Sequence, residues 1–330
     1  MSRLTRRAFS RSLLALTLSA AGPFARAAQP APNVLRIGYQ KSSTLITLLK
    51  ARGTLDRALA PLQTRVEWHE FASGLPLTEA LNVGAVDFSA DVADTVPVFA
   101  QAAQARFVYV AQEAPSPSAQ AIVVKRDGGI DSLAALKGKD IATTKAAGSH
   151  YLLLAALAKA GLTPADVNVH YLTPADGRAA FERGSVAAWI TWDPYVASVD
   201  RRPDVKVLAD GAGLASYQRY YLASTDYANA HPDVVKALFD ALTQESVWLR
   251  AHQDEAAAVL APIWGLDAAT IARANSRRSY LVRAVLPANY GEQQQIADTF
   301  RKAGLLPTRV DTKQALRWDF AARKAVPAGA

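Results

Sequence analysis

The chain has no cysteine at any of its 330 positions, and its single methionine is the first residue. Disulfides are excluded, so the fold must rest on apolar burial. No cysteine stands near the N-terminus to carry a lipid, and thiolate metal ligands are absent. Histidine is scarce: His69, His150, His170, His231 and His252 include no His-x-x-x-His pair, the spacing that sets two imidazoles on one helix face. The chain also lacks a Gly-x-Ser-x-Gly nucleophile turn, a phosphate loop ending in Gly-Lys-Ser/Thr, and a dinucleotide fingerprint after its first strand. Catalysis needs specific groups within reach of one another. These gaps argue against an enzyme and leave no cofactor or metal to expect. No stretch is long and apolar enough to remain in a bilayer as a spanning helix.

What is present begins with a targeting segment. Arg6-Arg7 precedes the apolar run Leu13 to Ala21, and Ala25-Arg26-Ala27 supplies a small-x-small cleavage pattern. Residues 1–27 read as a signal peptide, and the paired arginines favour the twin-arginine route over general export. Removing the five arginines of this leader lowers the formal charge from +8 to +3. The basic footprint that nucleic-acid binding needs goes with it. An exported, freely diffusing protein without a lipid anchor fits a periplasm.

The rest is long enough for two lobes. Short apolar strands alternate with amphipathic helices: strands at 34–39, 66–71, 86–89 and 107–112, helices at 45–52, 77–83 and 96–105. A second unit runs through strands at 121–124, 140–143 and 186–191, with helices at 133–137, 151–160 and 178–183 and a helix start at 194–199. This alternation predicts mostly parallel α/β layers. Gly53, Gly84, Gly161 and Gly184 read as helix stops, and Ser149 as an N-cap. The segment Ala80 to Phe88 rhymes with Ala180 to Ala188 as helix, glycine, strand, and an aspartate follows each strand, Asp94 and Asp193. From His231 onward the pattern is helical, at 232–250, 254–261, 268–276, 290–303 and 312–324. The turn-rich Pro115 to Ser118 and Gly211 to Gly213 are the expected crossings between lobes.

Two loops carry chemistry. Gln40-Lys41-Ser42-Ser43-Thr44 follows the first strand, and Ala146-Ala147-Gly148-Ser149-His150 precedes a helix. Helix N-termini present unpaired N–H groups and partial positive charge, which suits an anion. Open α/β sheets bind ligands at the carboxyl ends of their strands, where these loops lie.

The chain resembles the periplasmic aliphatic-sulfonate-binding proteins of ABC importers. The matching segments are Leu35 to Lys41, Glu79 to Phe88, Pro97 to Ala103, His150 to Leu153, Arg178 to Val186, Trp192-Asp193-Pro194 and Tyr221 to Ser224. The resemblance implies a two-lobed, type II periplasmic-binding fold with a helical C-terminal tail, with residues 34–117 and 217–330 in one lobe and 118–216 in the other. It implies delivery of a small organic sulfonate to a membrane permease, with a monomer as the default. The cleft positions it implies are Gln40, Ser42, Ser43, Gly74, Asp94, Thr95, Gly148, Ser149, His150, Trp192 and Asp193. Two departures sit among them. Ala93 and Thr95-Val96 stand where the family carries a glycine and an Ala-Pro pair, and Thr144 to Ser149 departs from an Asn-Lys-Gly-Ser type run.

A sulfonate is always ionised and only accepts hydrogen bonds, so its site needs donors: helix-start N–H groups, Gln40, and the hydroxyls of Ser43 and Ser149. Trp192 is expected against the carbon tail; mid-strand Trp189 reads as core. Asp193-Pro194 suits a helix start, although Asp94 or Asp193 would instead hold the amine of an aminosulfonate such as taurine. Tyr151 is a further candidate. The alternatives are a receptor of the same fold for nitrate or bicarbonate, an exported enzyme acting on a pyrimidine or thiamine precursor, and a regulator's sensing domain.

Overall fold

The computed structural model describes residues 33–328; the expected targeting segment, residues 1–27, lies outside them. Among the described residues thirteen strands run in chain order: β1 (Asn33–Gln40), β2 (Thr64–Phe71), β3 (Phe88–Ala93), β4 (Phe107–Glu113), β5 (Gln120–Lys125), β6 (Asp140–Thr143), β7 (Asn168–Tyr171), β8 (Ala188–Trp192), β9 (Val205–Asp210), β10 (Arg219–Ser224), β11 (Val282–Arg283), β12 (Leu316–Asp319) and β13 (Lys324–Pro327). They form two sheets, ordered β13-β12-β4-β10-β3-β1-β2 with β11 against β4, and β7-β6-β8-β5-β9. Each sheet, with the helices on its faces, is the core of one lobe. Helices Thr44–Arg52, Pro232–Ala251 and Gln253–Trp264 bury Leu48, Leu238 and Leu260 against one face of the first sheet. Gly74–Asn82 and Thr95–Ala102 cover the other face with Leu77 and Val96.

The internal echo survives at the level of single hydrogen bonds. In the first lobe Ala85 N–H donates to Ala80 O and Asp87 N–H to Arg36 O; in the second Ser185 N–H donates to Ala180 O and Ala187 N–H to Asp140 O. β3 then runs parallel to β1, and β8 parallel to β6. Gly84 and Gly184, at φ 73° and 75°, make both turns possible, because the left-handed region is open to glycine at little cost.

Both sheets are mixed, where mostly parallel sheets were expected. β10 enters the first sheet antiparallel to β3 and β4, and β5 the second antiparallel to β8 and β9. Each is the first strand after the chain passes from one sheet to the other, so its direction is set by the crossing and not by a βαβ unit. The passing segments, residues 114–119 and 211–218, pair through Ser116 N–H and Ser216 O.

Three local expectations change. Residues 312–324 are no helix: a short turn, Thr312–Gln314, leads into the β12–β13 hairpin, and β12 pairs parallel to β4. The alternation of Leu316 and Trp318 suits a strand once β4 offers a free edge. Residues 194–199 form successive turns after a cis Asp193–Pro194 bond. Ser149 is not an N-cap, because the helix Gly148–Lys159 already includes it and Ala147 caps. Among the described residues no single helix is long and apolar enough to cross a membrane.

Candidate functional site

The carboxyl ends of β1, β3, β8 and the start of β10 converge where the lobes meet. A cavity of about 10 Å³ lies there, room for about one water molecule. Gln40, Gly74, Gly148 and Trp192 line it, four of the eleven positions expected at a cleft. Ala93, Val96, Ala147, Tyr217 and Arg219 complete the wall. Ala93, Ala147, Trp192 and Tyr217 also form a small buried apolar cluster with Ala119, drawn from both lobes.

Two hydrogen bonds cross between the lobes beside this cavity. Thr95 Oγ1 donates to Ala146 O at 2.6 Å, and Trp192 Nε1 donates to Ser42 Oγ at 3.1 Å. The contact is close: a Cβ added to Gly148 would lie 2.6 Å from the Tyr217 ring and 3.3 Å from Ala93 Cβ. Ala93, Thr95 and Ala146, positions where the sequence departs from its family pattern, thus make the contacts that shut the cleft. The cavity abuts the first turn of the twelve-residue helix Gly148–Lys159, whose leading N–H groups have no partner within the helix.

The other expected residues stand behind the wall. Ser43 Oγ accepts from Gln40 N–H at 3.0 Å, and the Gln40 amide donates to Asp91 O at 3.1 Å, which orients the carboxamide. Ser149 Oγ takes a 3.1 Å bond from Thr143 Oγ1 and is fully buried. His150 turns away: its Nδ1 accepts from Ala146 N–H and its Nε2 meets Tyr171 Oη, with Phe300 beside the ring. Accepting through Nδ1 leaves Nε2 as the protonated nitrogen, and burial pulls its pKa down to about 4, keeping the ring neutral.

The two aspartates differ. Asp94 Oδ2 accepts from Gln218 N–H at 2.9 Å; burial pushes its carboxyl up to about 7 against that bond. Asp193 accepts from Ala197 N–H at 3.0 Å and faces Arg277 with both oxygens, at 3.2 and 3.3 Å. Burial raises it to about 7 as well, opposed by Arg277. Asp193 is therefore committed to a cation of the protein and is not free for a ligand amine. Arg277 also pairs with Asp200, as does Arg273 at 3.1 Å. These two arginines tie the end of the helix Ala268–Ser276 to the turns that follow β8.

Sequence reasoning missed an ion network beneath the cavity. Asp91, Glu113, Arg219 and Arg278 are all at least nine-tenths buried. Arg278 Nη2 reaches Glu113 at 2.7 and 2.8 Å and Asp91 at 3.2 Å, while Arg219 bonds Asp91 and Tyr217 Oη. Burial alone would lower Arg278, yet Asp91 and Glu113 hold it well above its ordinary range. A bulge aims Asp91 inward: Tyr220 pairs with Val92 and Leu222 with Ser89, so two residues of β3 oppose one of β10. Asp91, Ala146, Tyr217 and Tyr280 all carry positive φ, strain that clusters where a site is held in a fixed shape. The available signal was a charged residue inside each apolar strand: Asp91 in FSADVA and Arg219 before YYLAS. Buried charges require partners.

Residues 66–256 match the NMT1/THI5 like family. The chain is 39% identical over 292 residues, 88% of its length and 91% of the relative's, to an aliphatic sulfonates-binding protein of Escherichia coli (strain K12). It superposes on the alkanesulfonate-binding protein SsuA from Xanthomonas axonopodis pv. citri bound to MOPS with TM-score 0.80 and 38% identity, over 86% of this chain and 97% of that one. The desulfurization enzyme DSZB, at 16% identity, TM-score 0.64 and 88% and 98% coverage, shares the fold alone.

Proposed function

The chain belongs to the periplasmic aliphatic-sulfonate-binding family, and from that premise we propose that it is the soluble receptor of an ABC importer. It closes two lobes on a small organic sulfonate and presents the closed form to a membrane permease. One observation carries this reading. Two of the bonds between the lobes, Thr95 to Ala146 and Trp192 to Ser42, flank one cavity at the start of the helix Gly148–Lys159: Trp192 lines it, and Thr95 and Ala146 directly precede its lining residues Val96 and Ala147. Ligand capture and lobe closure therefore share the same parts.

A sulfonate is anionic at every physiological pH and its three oxygens need donors only. The helix start supplies N–H groups and partial positive charge, and Gln40 a carboxamide. Trp192, Val96, Ala93 and Ala147 give an apolar wall for a carbon chain. The cavity has room for about one water molecule and is walled by residues of both lobes, so ligand entry would need the lobes to part at the segments 114–119 and 211–218. Ligand then favours closure by the contacts it makes only in the closed state. With Asp193 held by Arg277 and Asp94 accepting from Gln218 N–H, plain alkanesulfonates fit better than aminosulfonates. Residues 34–117 and 217–330 would move as one lobe and 118–216 as the other. The family's receptors set the expected place of action as the periplasm.

Thermal unfolding of the processed protein with methane-, butane- and octanesulfonate, taurine, sulfate, nitrate and bicarbonate tests the reading. A ligand at about a hundred times its Kd stabilises by about 2.7 kcal/mol. Stabilisation by alkanesulfonates supports the proposal; a response to nitrate or bicarbonate alone would replace the ligand, and turnover of any sulfonate would replace the receptor with an enzyme.

A further inference from the structure

Arg219 is 2% exposed, and its guanidinium is held on two of its three nitrogens: Nε bonds Asp91 and Nη1 bonds Tyr217 Oη. The third, Nη2, is buried with no hydrogen-bond partner. The residue that carries it lines the cavity, across from Gly148 at the start of the helix Gly148–Lys159. An unpartnered buried donor on a cation costs stability that an acceptor would return.

We propose that Arg219 is the charged anchor of the ligand headgroup, its Nη2 donating to a sulfonate oxygen while the helix start holds the opposite side. This rests on the receptor reading above and deepens it, because it names the one full positive charge that meets the anion. The surrounding groups explain why Nη2 stays free. Asp91 is shared with Arg278, whose Nη2 lies 3.2 Å from both Asp91 oxygens, and Arg278 takes up Glu113 in turn. Asp91 thus orients Arg219 through Nε without closing over the whole fork. Tyr217 fixes Nη1 from a backbone at φ 53°, and its ring also touches the Gly148 position. One side chain therefore positions both the cation and the wall beside the helix start. With two acids and two arginines the network is formally neutral, so the anion adds to it without displacing a counter-ion.

Isothermal titration of methanesulfonate, and of methanesulfonamide as its uncharged isostere, into wild type, Arg219→Met and Arg219→Lys provides the test. Wild type is expected to prefer the sulfonate by at least about 30-fold, the scale of a buried charge-assisted contact. Arg219→Met should lose about that factor for the sulfonate and little for the sulfonamide, collapsing the preference, and Arg219→Lys should recover part of it. A purely structural role would weaken both ligands alike, and that result, or an unchanged Arg219→Met, overturns the inference. If Arg219→Met fails to fold, a crystal structure of wild type with methanesulfonate decides: an oxygen within hydrogen-bond distance of Nη2 supports the anchor, and an Nη2 left unpartnered overturns it. Wild type that binds no sulfonate would instead sink the receptor reading, and this inference with it.

Discussion

Thr95 Oγ1 donates a 2.6 Å hydrogen bond to the Ala146 carbonyl, so the residue that opens a helix of one lobe holds the loop before the helix Gly148–Lys159 of the other. Both ends are buried. Thr95→Val keeps the shape and removes the donor, leaving Ala146 O without it in the closed state only. The cost is about 1 kcal/mol, or about fivefold in ligand affinity. Titration with an alkanesulfonate should show that loss.

Gly148→Ala tests closure by steric means. An added Cβ would sit 2.6 Å from the Tyr217 ring, contributed by the segment entering the first sheet. Parted lobes relieve the clash, and alanine suits a helix start at this position, so ligand-free stability should hold or rise slightly. Closing would cost about 1–3 kcal/mol by overpacking. Small-angle scattering is expected to show compaction with ligand for wild type and little for the variant, with affinity reduced at least about fivefold.

Arg277 and Arg273 meet Asp200, and Arg277 also meets Asp193, across the closed interface. These groups are mostly shielded, with Arg277 20% and Asp200 9% exposed, so the pairing is worth more than a surface bridge, about 1–2 kcal/mol. Asp200→Asn should raise the open fraction of ligand-free protein and speed ligand release. Stopped-flow dissociation rates, compared at low and high salt, check this; equal rates in both proteins would remove the arginine pair from the closing mechanism.

Asp94 gives a pH signature. Its folded carboxyl is raised by burial to about 7 from an ordinary 3.8. A folded state that binds the proton more tightly is favoured while the proton stays on. The contribution is therefore full below about pH 4 and is lost as pH rises through about 7. Denaturant unfolding between pH 4 and 8 should show stability falling over that window. Asp193, raised to about 7 as well, falls over the same window, and His150, lowered to about 4, opposes both in its lower half. Asp94→Asn, which still accepts from Gln218 N–H, should therefore remove part of the fall; an unchanged slope would assign it to the other groups.

Much of the local structure was legible in the chain. Gly53, Gly84, Gly161 and Gly184 end helices with positive φ as read, since only glycine takes that conformation freely. The helix at 268–276 has the limits its pattern implied, because apolar spacing is a property of neighbouring residues. Gln40, Gly74, Gly148 and Trp192 line the cavity, while Ser43, Ser149 and His150 serve the wall from behind.

What lay beyond the sequence has one physical cause: partners far apart along the chain. Arg219 meets Asp91 over 128 residues and Arg278 meets Glu113 over 165, and no periodicity announces such pairs. Strand direction in β5 and β10 came from the crossings, and the β12–β13 hairpin from the free edge of β4. By itself the amino-acid order determined the alternation of elements, their glycine stops and the repeated helix–glycine–strand unit, all set by short-range sterics and patterning, and its matching segments carried the resemblance to the family. Tertiary structure alone decided which charges are buried together and which hydroxyls bridge the lobes. It also decided which arginine keeps a nitrogen free at the cavity, since burial and pairing exist only once distant segments have packed.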